Sequence, residues 1–99
     1  MTTAITAAEI AVHGRVQGVG YREYTRRHAA RLGLAGYVMN ADDGRVLVHV
    51  EGSRSNIDEL VHALQSGPRL AHVEHVSVRW LDAADGLSGF DIRYVGSTR

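Results

Sequence analysis

The sequence predicts an α+β domain in which two helices cover one face of a mainly antiparallel sheet. The order is strand, helix, strand, strand, helix, strand, with a short extra strand at the carboxyl end. Two patterns predict this. Apolar residues alternate with polar ones around Ile10 and Val12, along Val46, Val48 and Val50, along Val76, Val78 and Trp80, and along Phe90, Ile92 and Tyr94. Between them, Ile57, Leu60, Val61 and Leu64 recur at the spacing of one helix face.

Taken in order, Ala8 to His13 reads as a half-buried strand that runs into Gly14. Arg22 to Leu32 favours helix, with Tyr21, Tyr24, His28 or Ala29, and Leu32 near helical spacing and Gly33 as a carboxyl-terminal stop. Tyr21 and Tyr24 are expected to pack, and Glu23, Arg26, Arg27 and Arg31 to form a solvated face. Tyr37, Val38 and Met39 lead through Asn40 into Asp42-Asp43-Gly44, a turn signal that makes a hairpin with Val46 to Val50. Ser53 and Ser55 are both candidate caps for the second helix, and Asp58 lies three residues after Ser55. Gly67-Pro68 ends that helix, and Asp82 to Gly89 reads as a loop before the last strand. The tail from Gly96 to Arg99 is read as loose. This is the split βαβ pattern of ferredoxin-like type. The sheet face away from the helices is expected to be largely exposed and to show His49, Ser77 and Arg79.

Ninety-nine residues suffice for one core and one domain, 1–99. No apolar run approaches the roughly 18 residues of a membrane span. Met1 to Ala8 has neither the basic start nor the apolar stretch of a secretory signal, so a cytoplasmic location is expected. The absence of cysteine excludes disulfides, thiolate nucleophiles and sulfur-ligated metals. The absence of lysine excludes Schiff-base chemistry and a P-loop lysine. Formal charge is zero, which argues against a general polyanion binder, so any cationic function must be local.

That local function falls on Gly14-Arg15-Val16-Gln17-Gly18-Val19-Gly20-Tyr21-Arg22, between the first strand and the first helix. Glycines allow successive N–H groups to turn toward one centre, and a following helix adds unpaired donors and the positive end of its dipole. Arg22 supplies a planar fork that fits two oxygens of one phosphate. Asn40 stands at the end of the second strand, and in a split βαβ fold the two segments can converge at one corner.

This loop, followed by Gly36-Tyr37-Val38-Met39-Asn40-Ala41-Asp42-Asp43-Gly44-Arg45-Val46, closely resembles the acylphosphatases. The resemblance extends over nearly the whole chain, through Glu51-Gly52 and Gly67-Pro68 to Phe90-Asp91-Ile92-Arg93-Tyr94. It implies hydrolysis of the carboxyl-phosphate bond of acyl phosphates without metal or other cofactor. Arg22 would bind the phosphate, Asn40 would hold the attacking water, and the backbone N–H groups of Arg15, Val16, Gln17, Gly18, Val19 and Gly20 would complete the cradle. The partners it implies are a small acyl phosphate and inorganic phosphate or a similar anion in the loop; no nucleic acid, no membrane and a monomeric state are expected beside it. Elementary chemistry agrees: the leaving carboxylate has a conjugate-acid pKa of roughly 4 and departs without a general acid. Met39 occupies a position that is often basic in relatives, and Glu23 is expected to point away from the cradle.

Blander readings exist for each piece. The glycines could make only a tight connection, Arg22 could be a surface arginine, and Asn40 a turn residue. His72-Val73-Glu74-His75 does not place both rings on one side of a strand and shows no third ligand, and Asp42 and Asp43 suit a turn. The competing hypothesis is a non-catalytic ferredoxin-like module that binds a small anion or RNA. RNA binding on the sheet would want exposed aromatics on the central strands, and Val46 to Val50 has none. The same chemistry could also be embedded in a larger carbamoyl-transfer protein, which the short free-standing chain makes less expected.

Overall fold

In the computed structural model, which describes residues 4–94, the elements are β1 (Thr6–Arg15), α1 (Tyr21–Arg31), β2 (Ala35–Asn40), β3 (Val46–Gly52), α2 (Arg54–Ser66), β4 (His72–Leu81) and β5 (Phe90–Arg93). The tail read as loose lies outside the described residues, as do the first three residues of the segment examined for a signal. The strands form one sheet in the order β4-β1-β3-β2-β5. All neighbours are antiparallel except β2 and β5, which run parallel. The two helices and the appended strand are as the sequence predicts.

The period-two pattern sets the register. Ala8, Ile10 and Val12 of β1 stand opposite Val50, Val48 and Val46 of β3, and all six are buried. Ile57, Leu60 and Leu64 of α2 and Tyr21 and Ala29 of α1 join them in one core, with Val38 of β2 beside Val48 in the sheet. Strand β1 is longer than expected at both ends because it is paired on both sides. It ends in a register shift at His13/Gly14, where a Cβ on Gly14 would meet the carbonyl oxygen of His72 at 2.2 Å.

Helix α1 stops in a Schellman motif: the Leu34 amide donates to Ala29 and that of Gly33 to Ala30, at 2.9 and 3.1 Å. Helix α2 starts at Ser53, whose Oγ accepts from the Asn56 amide at 3.2 Å. Ser55 lies one residue inside the helix, so the box with Asp58 does not form. The Tyr21 ring is buried and its hydroxyl donates to the Leu64 carbonyl, while the Tyr24 hydroxyl donates to Ala63 at 2.8 Å. These bonds satisfy carbonyls in the last turn of α2 and tie the two helices together.

The expectation for the open sheet face needs correction. Ser77 and Arg79 are exposed, but His49 is 5% and Glu51 3% exposed. The connection between β4 and β5 folds over this end of the sheet. The amides of Asp85, Gly86 and Leu87 donate to the Glu51 carboxylate at 2.8, 3.0 and 3.0 Å. His49 Nε2 lies 2.8 Å from Glu51 Oε2 and must be the donor, since a carboxylate only accepts.

Burial pushes the Glu51 carboxyl up. The hydrogen bonds from His49 and from the Asp85, Leu87 and Gly86 amides more than reverse this and hold it at about 2. A carboxyl depressed on folding stabilises the fold fully above its unfolded value, here 4.5, and loses that contribution as pH falls toward 2. A depression of this size corresponds to about 3 kcal/mol. The stability gap between wild type and Glu51→Gln, measured by urea unfolding, is therefore expected to be full at pH 6 and to shrink steadily between pH 4.5 and 2. A gap that does not change with pH would refute the carboxylate's role.

Candidate active site

The junction between β1 and α1 is shaped by its glycines. Gly18 and Gly20 have φ of +75° and +81°, and a Cβ on either would meet nothing within 4 Å. The constraint is therefore backbone conformation rather than space: an L-residue there costs roughly 1–2 kcal/mol. Gly20 sits at the N-cap of α1, which has no side-chain cap hydrogen bond. The N–H donors of the first turn therefore receive no side-chain cap from Gly20, at the end of the helix where the dipole favours an anion.

A cleft of about 320 Å³ opens at this point, lined by Val16, Gly18 and Gly20 of the loop and by Tyr21 and Arg22 of the first turn of α1. Asn40, the last residue of β2, forms another part of the wall, and Ile92 and Tyr94 complete it. Arg22 and Asn40 are thus brought to one concavity by an antiparallel sheet that places the loop after β1 beside the end of β2. Arg15, Gln17 and Val19 do not line the cleft: Arg15 is exposed at the end of β1, and Val19 packs against the core.

Gln17 has a role that the sequence does not announce. Its side-chain amide donates to the carbonyls of Ala41 and Arg45 at 2.8 and 2.9 Å. The glycine loop is thereby fastened to the turn that follows Asn40. That turn is closed by Ala41 N to Arg45 O at 2.9 Å, and the Asp43 carboxylate accepts from the Arg45 amide and Nε at 3.1 and 2.8 Å. Asp43 is therefore a turn residue.

The polar groups of the cleft differ in how well they are matched. No carboxylate among the described residues lies in ion-pair range of Arg22, whose guanidinium lies over the Tyr94 ring at 4.8 Å from its centroid. Stacking covers a face of the guanidinium and leaves its in-plane N–H donors available. Asn40 Oδ1 is buried and receives no hydrogen bond from the described residues. A buried carbonyl of this kind calls for a donor. Glu23 stands on the rim of the cleft rather than away from it. Its charge is held by Arg26 Nη2 at 2.6 Å and Arg27 Nε at 3.5 Å, and the Arg26 hydrogen bond keeps the carboxyl below its ordinary value.

A larger groove of about 440 Å³ lies on the opposite sheet face, over Met39, Leu47 and Ser77. Met39 opens onto that groove, so it adds nothing beside Asn40 in the cleft. The two arginines of the groove, Arg45 and Arg79, are paired with Asp43 and Glu9. Tyr37 carries the Arg93 guanidinium at 3.8 Å and stacks on His49 at 5.3 Å, which leaves no open aromatic platform for a base. Size notwithstanding, the groove has no unmatched charge.

Among the described residues, His49, Glu51 and Asp85 form the one trio with atoms close enough to share a cation. The Glu51 oxygens already accept from three amides and from His49, so the trio is built to receive N–H donors. It lies at the opposite end of β3 from Val46, the residue paired with Asn40.

Comparison with known proteins agrees with this geometry. The family model described as Acylphosphatase matches residues 8–92. An acylphosphatase of Salinibacter ruber is 49% identical over 82 residues, spanning 83% of this chain and 86% of its own. One from Thermus thermophilus is 51% identical over 81 residues, 82% of this chain and 91% of its own. The crystal structure of acylphosphatase from Bacillus subtilis matches with a TM-score of 0.88 at 37% identity, over 90% of this chain and 99% of that one. With Arg22 and Asn40 in one cleft beside the uncapped start of α1, and with relatives of this closeness over most of its length, the chain belongs to the acylphosphatase family.

Proposed function

We propose that this protein hydrolyses the carboxyl-phosphate bond of acyl phosphates, giving a carboxylate and inorganic phosphate, by a mechanism that needs no metal. The observation that carries the proposal is the pairing, in one cleft, of a guanidinium with no carboxylate partner and a buried amide carbonyl with no donor among the described residues. The N–H groups of the glycine loop and of the first turn of α1 cradle the phosphoryl oxygens, and the Arg22 fork takes two of them. Charge in a loose phosphoryl-transfer transition state spreads over these equatorial oxygens, so fixed donors aimed at them stabilise it directly. Asn40 Oδ1 accepts one proton of the attacking water and aims its lone pair at phosphorus. Asparagine is no base, so the water proton passes to a phosphate oxygen of the substrate as the P–O bond to the acyl group breaks and the carboxylate leaves. No general acid is required, because that carboxylate is a good leaving group.

The proposal includes a single domain acting as a monomer in the cytoplasm, with inorganic phosphate as the product bound in the loop. Purified protein is expected to hydrolyse benzoyl phosphate at an undiminished rate in EDTA and to show competitive inhibition by phosphate. Protein that binds phosphate yet leaves benzoyl phosphate intact would instead support an anion-binding module.

A further inference from the structure

The Glu51 fastening lies far from the cleft, yet the connection it holds runs straight into an element that forms the cleft wall. Ala35 pairs with Glu51 and Asn40 with Val46 in the β2–β3 ladder, a separation of five residues or roughly 17 Å along the sheet. Between β4 and β5 the chain has no regular structure, so its amides depend on what the loop meets. Gly86, with φ +80°, turns three successive N–H groups, those of Asp85, Gly86 and Leu87, onto the Glu51 carboxylate, which makes a nest around a buried anion. Three residues later the Gly89 carbonyl accepts from the Gly36 amide at 2.9 Å, and Phe90 enters the core. Strand β5 is four residues long and lies on the edge beside β2. So short a strand has few ladder bonds of its own, and the tether that precedes it adds to the pairing with β2 and the burial of Phe90 in holding it. Its Ile92, and Tyr94 immediately beyond, line the cleft, and the Tyr94 ring lies over the Arg22 guanidinium.

We infer that Glu51 is a positioning residue for the reaction: by fastening the connection before β5 it fixes the Ile92–Tyr94 wall and thereby holds the Arg22 guanidinium in place for the phosphoryl group. This rests on the proposed hydrolysis, and it goes beyond it in making a buried carboxylate on the opposite end of the sheet a determinant of substrate binding. Small misplacements of a binding group are costly in a site that works by orientation.

The test uses Glu51→Gln and Gly86→Ala. The first removes the anion from the nest; the second strains the nest at φ +80° without entering the core, because a Cβ there meets nothing within 4 Å. Both are assayed with benzoyl phosphate well below their unfolding temperatures. In each, KM and the inhibition constant of inorganic phosphate are expected to rise about tenfold with kcat changed less than about threefold, while the amides of Asp85, Gly86 and Leu87 lose protection from hydrogen exchange. Glu51→Asp, which keeps the charge on a shorter stem, is expected to recover part of the affinity. Variants that exchange faster and melt earlier, yet keep wild-type KM and phosphate inhibition, would overturn the inference and reduce the nest to a stability device. A wild-type protein inert toward benzoyl phosphate would overturn the proposed hydrolysis, and phosphate affinity measured by titration would still report on the positioning.

Discussion

Replacing Arg22 with alanine is expected to lower kcat/KM for benzoyl phosphate by about 10³-fold or more, the scale on which a transition-state arginine acts in phosphoryl transfer. Unfolding should be almost unaffected. Arg22 is half-buried and makes no ion pair among the described residues, so the fold loses only its stack on Tyr94. Separation of the two effects is the diagnostic feature, since a loss of activity through misfolding would appear in both. Arg22→Lys is expected to restore little, because an ammonium offers a point charge in place of the flat, two-pronged donor. Steady-state kinetics with a parallel urea titration decides the matter. A loss of less than tenfold would mean that the loop amides and the helix terminus carry the phosphate without the guanidinium.

Replacing Asn40 with alanine should act differently. The expected fall is about 10²- to 10³-fold in kcat, comparable to removing one preorganised polar group from an active site. Inhibition by inorganic phosphate should be unchanged, since the water site and the phosphate cradle are separate. Stability should hold or rise slightly. The carbonyl of Asn40 is buried without a donor from the described residues, and removing such a group relieves a desolvation cost. A site residue whose removal benefits the fold while crippling turnover is under functional constraint, and thermal unfolding next to kcat measurement reveals that conflict. Unaltered kcat in this variant would remove the water-aiming role.

The parts of this molecule that could be read from the chain are those whose cause is local. Valines 46, 48 and 50 declare a buried strand face by period alone, and Ile57, Leu60 and Leu64 declare a helix face likewise. Gly20 and Arg22 stand together because a left-handed cap and the first turn of a helix are neighbours in sequence. Alternation, however, tells which face a residue takes and not what covers that face, so it puts His49 toward solvent and gives no sign that Glu51 is buried. Their cover comes from a segment without periodicity, about 34 residues later. Ile92 is legible as a strand residue and Tyr94 as the next in its alternation, although β5 ends at Arg93, but neither is legible as a cleft residue, because that depends on β5 adding in parallel beside β2. The glycine pattern around Gln17 points only to its backbone amide. That its side chain bridges two carbonyls 24 and 28 residues away requires knowing where the hairpin turn sits.

The tyrosines of α1 have one more implication. Tyr21 precedes Arg22 directly, is buried in the core, and through its hydroxyl is bolted to the last turn of α2; Tyr24 repeats the attachment one turn later. The helix bearing the guanidinium is therefore fastened to its neighbour before substrate arrives. Part of the orientation that a phosphoryl group needs is thus set by the fold in advance.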